Sequence, residues 1–154
     1  MNATSFKRFF FPALLAAVLA VGSCIKPPDY GDTPTIEFLS MSKSTVVEGT
    51  DTVEIYFKFT DGDGDLGPLN DQDSTINLFL IDSRDNTAKP YQLPNLTPGG
   101  NIKAISGEVT VKVRSFACRA GYENDEIRYT IYVKDRSGNQ SNTIQTDPII
   151  IDCQ

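Results

Sequence analysis

Residues 52–60 read TVEIYFKFT, and this stretch decides the fold. Polar and apolar side chains alternate along it, which is the two-residue period of a β-strand. One face of such a strand carries four apolar side chains, those of Val53, Ile55, Phe57 and Phe59. The pattern therefore predicts a strand that buries one face.

Five further stretches alternate or are apolar and are bounded by turn residues: residues 35–41, 75–81, 107–114, 126–134 and 143–152. The stretch at 75–81 is apolar on both faces, which indicates a central strand. No stretch has a sustained 3.6-residue apolar period. The sequence therefore predicts an all-β fold, an immunoglobulin-like antiparallel β-sandwich of about seven strands, in which residues 90–96 supply strand D.

The first residues have the layout of a secretory signal peptide. Lys7 and Arg8 precede an uncharged, mostly apolar run at residues 9–21. As a helix these thirteen residues would span about 20 Å, which is too short for a bilayer core of about 30 Å. Cleavage would remove two basic residues and no acidic one, which takes the net charge from −6 to −8.

The end of this segment, VGSC at residues 21–24, resembles the bacterial lipobox, whose Cys becomes the lipid-modified first residue of the mature protein. The alternative is an ordinary cleaved signal in which Cys24 is incidental. The predicted organisation is a signal peptide at 1–23, a lipidated Cys24 with a Pro-rich tether at 24–34, and a sandwich domain at 35–154.

Composition excludes several classes of function. The chain has no His, which excludes His-based triads and His-ligated metals. A net charge of −6 argues against a nucleic-acid partner, whose affinity comes mainly from phosphate neutralisation. Neither a Gly-x-Ser-x-Gly elbow nor a phosphate-binding Gly loop is present. We therefore expect a protein that is not an enzyme.

The remaining cysteines are Cys118 and Cys153. Cys118 lies in the connection between predicted strands E (107–114) and F (126–134), and Cys153 lies at the end of predicted strand G (143–152). These positions share one pole of an immunoglobulin-like sandwich. We expect a structural disulfide there, because an oxidising envelope permits it. The alternative is a pair of free thiols or a redox role, although no Cys-x-x-Cys spacing is present.

An acidic loop, DGDGDLG at residues 61–67, follows the strand at 52–60. Its alternate Asp residues and intervening Gly residues suit a hard cation that takes oxygen ligands. The loop departs from the EF-hand pattern, because its sixth position is Leu66 and its twelfth is Gln72.

The predicted F–G turn, DRSGN at residues 135–139, would lie beside this loop. The candidate calcium ligands are therefore Asp61, Asp63, Asp65, Asp135 and Asn139. The alternative is a solvated acidic turn in which Asp65 and Asp135 cap their own loop backbones, with Arg136 neutralising part of the charge. Apart from this possible Ca²⁺, no cofactor is expected.

The lipobox, the Pro-rich spacer, the strand entering TDGDGDLG and the late stretch IRYTIYVKDRSGNQSNT together resemble small uncharacterised lipoproteins of Bacteroidetes. That resemblance implies an immunoglobulin-like domain in the cell envelope, on the periplasmic face or the surface of the outer membrane. The expected function is a lipid-anchored structural or protein-binding module. The alternative is a carbohydrate-binding module of a glycan-uptake system, although the chain has no Trp to form a sugar platform.

Overall fold

A computed structural model describes residues 29–97 and 103–153, and it is all-β. Its ten strands are β1 (Thr35–Met41), β2 (Thr45–Val47), β3 (Thr52–Asp61), β4 (Leu78–Asp82), β5 (Ala88–Tyr91), β6 (Ile105–Arg114), β7 (Asn124–Ile127), β8 (Tyr129–Val133), β9 (Ile144–Gln145) and β10 (Ile149–Asp152). In these two described ranges, no helix is long and apolar enough to cross a membrane.

The first sheet has the order β1-β3-β6 and is antiparallel. The pairing of β3 with β6 is unbroken over ten residue pairs, from Thr52 opposite Arg114 to Asp61 opposite Ile105. The pairing of β1 with β3 shifts between Phe38 and Ser40, which marks a β-bulge.

The second layer contains the order β5-β4-β8-β9 and the order β2-β10-β7. Only Arg128 separates β7 from β8, and residues 146–148 separate β9 from β10. Thr146 bridges this break, because its backbone N–H donates to the Tyr129 carbonyl and its hydroxyl accepts from the Tyr129 N–H. The two orders therefore form one twisted layer, and the predicted immunoglobulin-like β-sandwich is confirmed.

The core lies between the layers and is built from the alternate positions that the sequence indicates. Along β3, Val53, Ile55 and Phe57 are fully buried, and Phe59 is nearly so. β4 lies between β5 and β8, as predicted for a central strand. Burial of these apolar side chains is the main contribution to the stability of a sandwich of this size.

The prediction that residues 90–96 form strand D is wrong. Residues Ala88–Tyr91 form β5, which pairs with β4 in the second layer and does not join β6. Only five residues connect β4 to β5, and so short a connection produces a hairpin within one sheet. Pro90 is tolerated because β5 is an edge strand. β2, which pairs in parallel with β10, was not predicted.

The predicted disulfide between Cys118 and Cys153 is confirmed, with Cα atoms 5.9 Å apart. It joins the connection after β6 to the residue that follows β10. The predicted signal peptide at 1–23 and the lipidated Cys24 lie outside the described residues.

Candidate functional site

Three carboxylates converge where β3 ends. Asp61 is the last residue of β3, and Asp63 and Asp65 follow in the loop that leads away from it. One oxygen of each carboxylate lies within 4.8 Å of the other two. The intervening Gly64 has φ +72°, a left-handed conformation that glycine adopts at little cost and that turns the chain back on itself.

Each of these carboxylates has one buried oxygen without a hydrogen-bond partner among the described residues, namely the Oδ1 atoms of Asp61, Asp63 and Asp65. Asp61 is completely buried. Its other oxygen, Oδ2, accepts a hydrogen bond of 2.9 Å from the backbone N–H of Leu66. One oxygen of this fully buried carboxylate is therefore hydrogen-bonded, and the other has no partner although two further carboxylates lie close by. This is an unfavourable environment for a charge without a counterion.

The electrostatics follow from this arrangement. Burial raises the pKa of Asp61 to about 6, and repulsion from Asp63 and Asp65 acts in the same direction. Burial likewise raises the pKa of Asp63, with repulsion from Asp65 adding to it. In both residues the environment disfavours the charged form.

The F–G turn lies beside the acidic loop, as the sandwich topology predicts. Asp65 Oδ2 accepts hydrogen bonds from the backbone N–H of Ser137 at 3.0 Å and from its hydroxyl at 2.7 Å. Asp135 and Asn139, however, bond to each other, because Asn139 donates its backbone N–H at 2.7 Å and its side-chain amide at 2.8 Å. Three of the five candidate ligands therefore form a cluster, and the other two close their own turn.

Arg136 could have neutralised the acidic cluster, but its guanidinium lies elsewhere. It donates to the backbone carbonyl of Gly67 at 3.0 Å. Among the described residues, none of the ion pairs involves Asp61, Asp63 or Asp65. The three carboxylates are thus held together without a basic partner from this part of the chain.

The end of the predicted tether packs against the acidic loop, a contact that sequence reasoning missed. The backbone N–H of Gly62 donates to the Gly31 carbonyl at 2.9 Å. A methyl group on Gly62 would overlap the carbonyl oxygens of Tyr30 and Gly31. Asp32 also lies near enough to help raise the pKa of Asp63, after the larger effects of burial and Asp65. No local pattern marks this contact, because it joins an irregular segment to a loop that is distant in the sequence.

A second polar cluster lies at the opposite pole, near the disulfide. Asp125 is 2% exposed and accepts from Arg84 at 2.9 Å and from Arg119 at 2.6 Å. Arg84 also bonds to the buried Asp82 and to the Ala117 carbonyl. Hydrogen bonds from Arg119 lower the pKa of Asp125 strongly, against the effect of its burial. This network ties the β4–β5 turn to the connection that carries Cys118. No periodic pattern in the sequence indicates it.

We expect the Asp61→Asn variant to be more stable than the wild-type protein by about 1–2 kcal/mol in a chelator-containing buffer at pH 7. The substituted amide keeps an acceptor for the Leu66 N–H and removes a buried charge from the cluster. Urea unfolding followed by circular dichroism measures the difference. A variant less stable than the wild-type protein would show that the acidic cluster is not under repulsion.

Comparisons with known proteins identify no family for the chain. No family model matches it. No curated protein matches it either. Among solved structures, the chain is similar to a Niemann-Pick type C2 protein from the Japanese carpenter ant, with 11% identity and a TM-score of 0.43. That match covers 80% of this chain and 97% of the ant protein.

Proposed function

We propose that the chain is a non-catalytic, lipid-anchored protein of the cell envelope, similar to small Bacteroidetes lipoproteins, whose sandwich domain binds another envelope protein. Its partner adds an extended segment to the free edge of β6. Cys24 carries the lipid, and the tether that follows it connects the membrane to the sandwich. The protein lies on the outer membrane, on its periplasmic face or at the cell surface.

The free edge of β6 carries this proposal. β6 is ten residues long, about 33 Å, and its pairing with β3 is free of bulges. Within the described ranges its backbone hydrogen-bonds only to β3, so the groups on its other side have no protein partner. Such an edge is a template for an added strand.

Charge on the outer face of β6 supports a selective partner over indiscriminate pairing. Glu108, Lys112 and Arg114 are exposed there, and Lys112 pairs with Glu54 of the neighbouring strand at 3.1 Å. Charged side chains on an edge strand oppose indiscriminate strand pairing, because an added strand must place suitable groups opposite them. A partner of complementary charge would satisfy them.

Sugar binding is supported less well by the tyrosines of the described residues. Tyr132 stacks on Phe79, with ring centroids 4.8 Å apart and planes at 10°, so each ring covers a face of the other. Tyr56 donates its hydroxyl to Glu54, and Tyr122 lies beneath Arg119. These rings are scattered over different faces, whereas a glycan platform needs neighbouring rings with free faces.

A photo-crosslinking residue in place of Thr110 tests the proposal. Thr110 is an exposed residue of β6. In intact cells that produce the protein, we expect one discrete adduct between this variant and a second envelope protein. The matched control places the same residue at Asp147, which is exposed in the opposite layer, and should give no such adduct.

The same experiment in a Cys24→Ala background examines the anchor. Loss of the lipid should move the protein to the soluble fraction and abolish the adduct. Equal adducts from positions 110 and 147, or an adduct that contains only a second copy of this chain, would contradict binding at the β6 edge. Retention of the Cys24→Ala protein in the membrane would contradict the anchor.

A further inference from the structure

We propose that Asp61, Asp63 and Asp65 bind one Ca²⁺ ion and that this ion fixes the segment at Tyr30 and Gly31 against the sandwich. The acidic loop would then join the folded domain to the chain that leads to its N-terminus. This inference stands apart from the β6 edge, because the two features use different residues.

Buried oxygens of the acidic cluster lack hydrogen-bond partners among the described residues. Asp61 is fully buried, and one of its carboxylate oxygens lies within 4.8 Å of an oxygen of Asp63 and of Asp65. Its Oδ1 atom has no hydrogen-bond partner in the described ranges. The Oδ1 atoms of Asp63 and Asp65 are buried and unpartnered in the same way. Buried polar atoms are nearly always satisfied in folded proteins. Three such atoms, on carboxylates that have oxygens within 4.8 Å of one another, indicate a cation as the missing partner.

Hydrogen bonds hold the other oxygen in two of the three carboxylates. Asp61 Oδ2 is held by the Leu66 N–H, and Asp65 Oδ2 is held by Ser137. These bonds fix the orientation of two carboxylates while leaving one oxygen of each free. A preorganised site of this kind loses little conformational entropy when an ion binds.

The ligand chemistry of the cluster suits Ca²⁺. Ca²⁺ binds oxygen ligands, Asp carboxylates among them, at about 2.3–2.6 Å in flexible geometry, whereas Mg²⁺ demands near-octahedral geometry and retains several of its waters. Three carboxylate oxygens within 4.8 Å of one another can converge on one Ca²⁺ ion. Water molecules and backbone carbonyls would complete its six to eight ligands.

The tether segment takes part because it already lies on the loop. The Gly31 carbonyl accepts from Gly62, between two of the carboxylates in sequence, and the Tyr30 carbonyl is adjacent. Asp32 adds further negative charge close to Asp63. A bound cation would therefore attract both the loop and this segment, and repulsion would loosen the segment when the cation is removed.

The test is thermal unfolding of the purified full-length protein in 10 mM CaCl₂ and in chelator. If Kd is about 1 mM, as for many extracellular calcium modules, we expect Ca²⁺ to raise Tm by about 3–6 °C. Asp63→Asn should abolish the increase. Asp71→Asn removes the same charge from the exposed continuation of the loop and should keep it. Terbium luminescence excited through tyrosine, and its displacement by Ca²⁺, gives a second measure of affinity that does not depend on stability.

Gly62→Ala separates the role of the tether segment from that of the carboxylates. The added methyl group would displace Tyr30 and Gly31 without changing any of the three Asp side chains. We expect its Ca²⁺ affinity to fall about five-fold, and hydrogen exchange of residues 29–33 to become independent of Ca²⁺.

Several outcomes would overturn the proposal. An unchanged wild-type Tm together with no terbium signal would remove the metal site. Equal responses from Asp63→Asn and the wild-type protein would place the ion elsewhere. Wild-type affinity in Gly62→Ala, with exchange at 29–33 still dependent on Ca²⁺, would show that the ion does not act on the tether segment through this contact.

Discussion

Asp125→Ala should destabilise the protein by about 3–5 kcal/mol, the range measured when one partner of a buried ion pair is removed. The carboxylate is buried and accepts from the side chains of Arg84 and Arg119 and from the backbone N–H groups of Arg119 and Glu126. Without it, Arg84 keeps only Asp82 and the Ala117 carbonyl, although its side chain is largely buried. Urea unfolding at pH 7 measures the loss.

The exposed Asp147 provides the matched control for this substitution. It has no hydrogen bond to the described residues, so Asp147→Ala should change stability by less than about 0.5 kcal/mol. A similar small effect for Asp125→Ala would show that the buried pairs only offset their own desolvation and that Arg84 tolerates the loss of one of its two carboxylate partners.

The effect of Asp125 also depends on pH. Its pKa in the folded protein lies below its ordinary value of 3.8, so the unfolded chain binds more protons as the solution becomes acidic. The stabilisation is therefore present above about pH 4 and is lost as pH falls through the folded-state pKa. Below about pH 4, the difference between wild type and Asp125→Ala should narrow steadily.

The strands could be predicted where burial is strictly one-sided. In β3 each apolar residue of the alternating set faces the core and the intervening residues face outward, so a local pattern carries the whole signal. β2 has only three residues and gains its place by parallel pairing with β10, which lies about a hundred residues away. Such a short strand has no pattern of its own. The prediction of strand D failed for a similar reason. The sheet that β5 joins is decided by the length of the turn before it, and the side-chain pattern of β5 does not indicate that sheet.

In the candidate site, too, features within one loop could be predicted from the sequence, whereas contacts formed only in the folded protein could not. Alternation of Asp and Gly within one loop is sufficient to bring Asp61, Asp63 and Asp65 together. The pairing of Asp135 with Asn139 could not be read from the sequence, because these hydrogen bonds form only in the folded turn. The contact between Gly31 and Gly62 depends on how two irregular segments meet in space.

Replacing Cys118 and Cys153 together with Ser should destabilise the protein by about 3–4 kcal/mol. The two cysteines are 35 residues apart, and in the chain-entropy model a crosslink of that length restricts the unfolded state by this amount. Urea unfolding of the double variant, beside the wild-type protein with and without reductant, measures the effect. A wild-type protein whose stability does not change on full reduction would contradict the prediction.

The disulfide and the Asp125 network should also depend on each other. Both hold the connection after β6, since Cys118 precedes Arg119, whose side chain and backbone bond to Asp125. Without the disulfide, the connection after β6 is less ordered. The hydrogen bonds between Arg119 and the Asp125 carboxylate then contribute less to stability. We therefore expect Asp125→Ala to cost about 1 kcal/mol less in the disulfide-free background than in the wild-type protein. Additive effects within about 0.5 kcal/mol would mean that the ion network orders this pole of the sandwich without help from the disulfide.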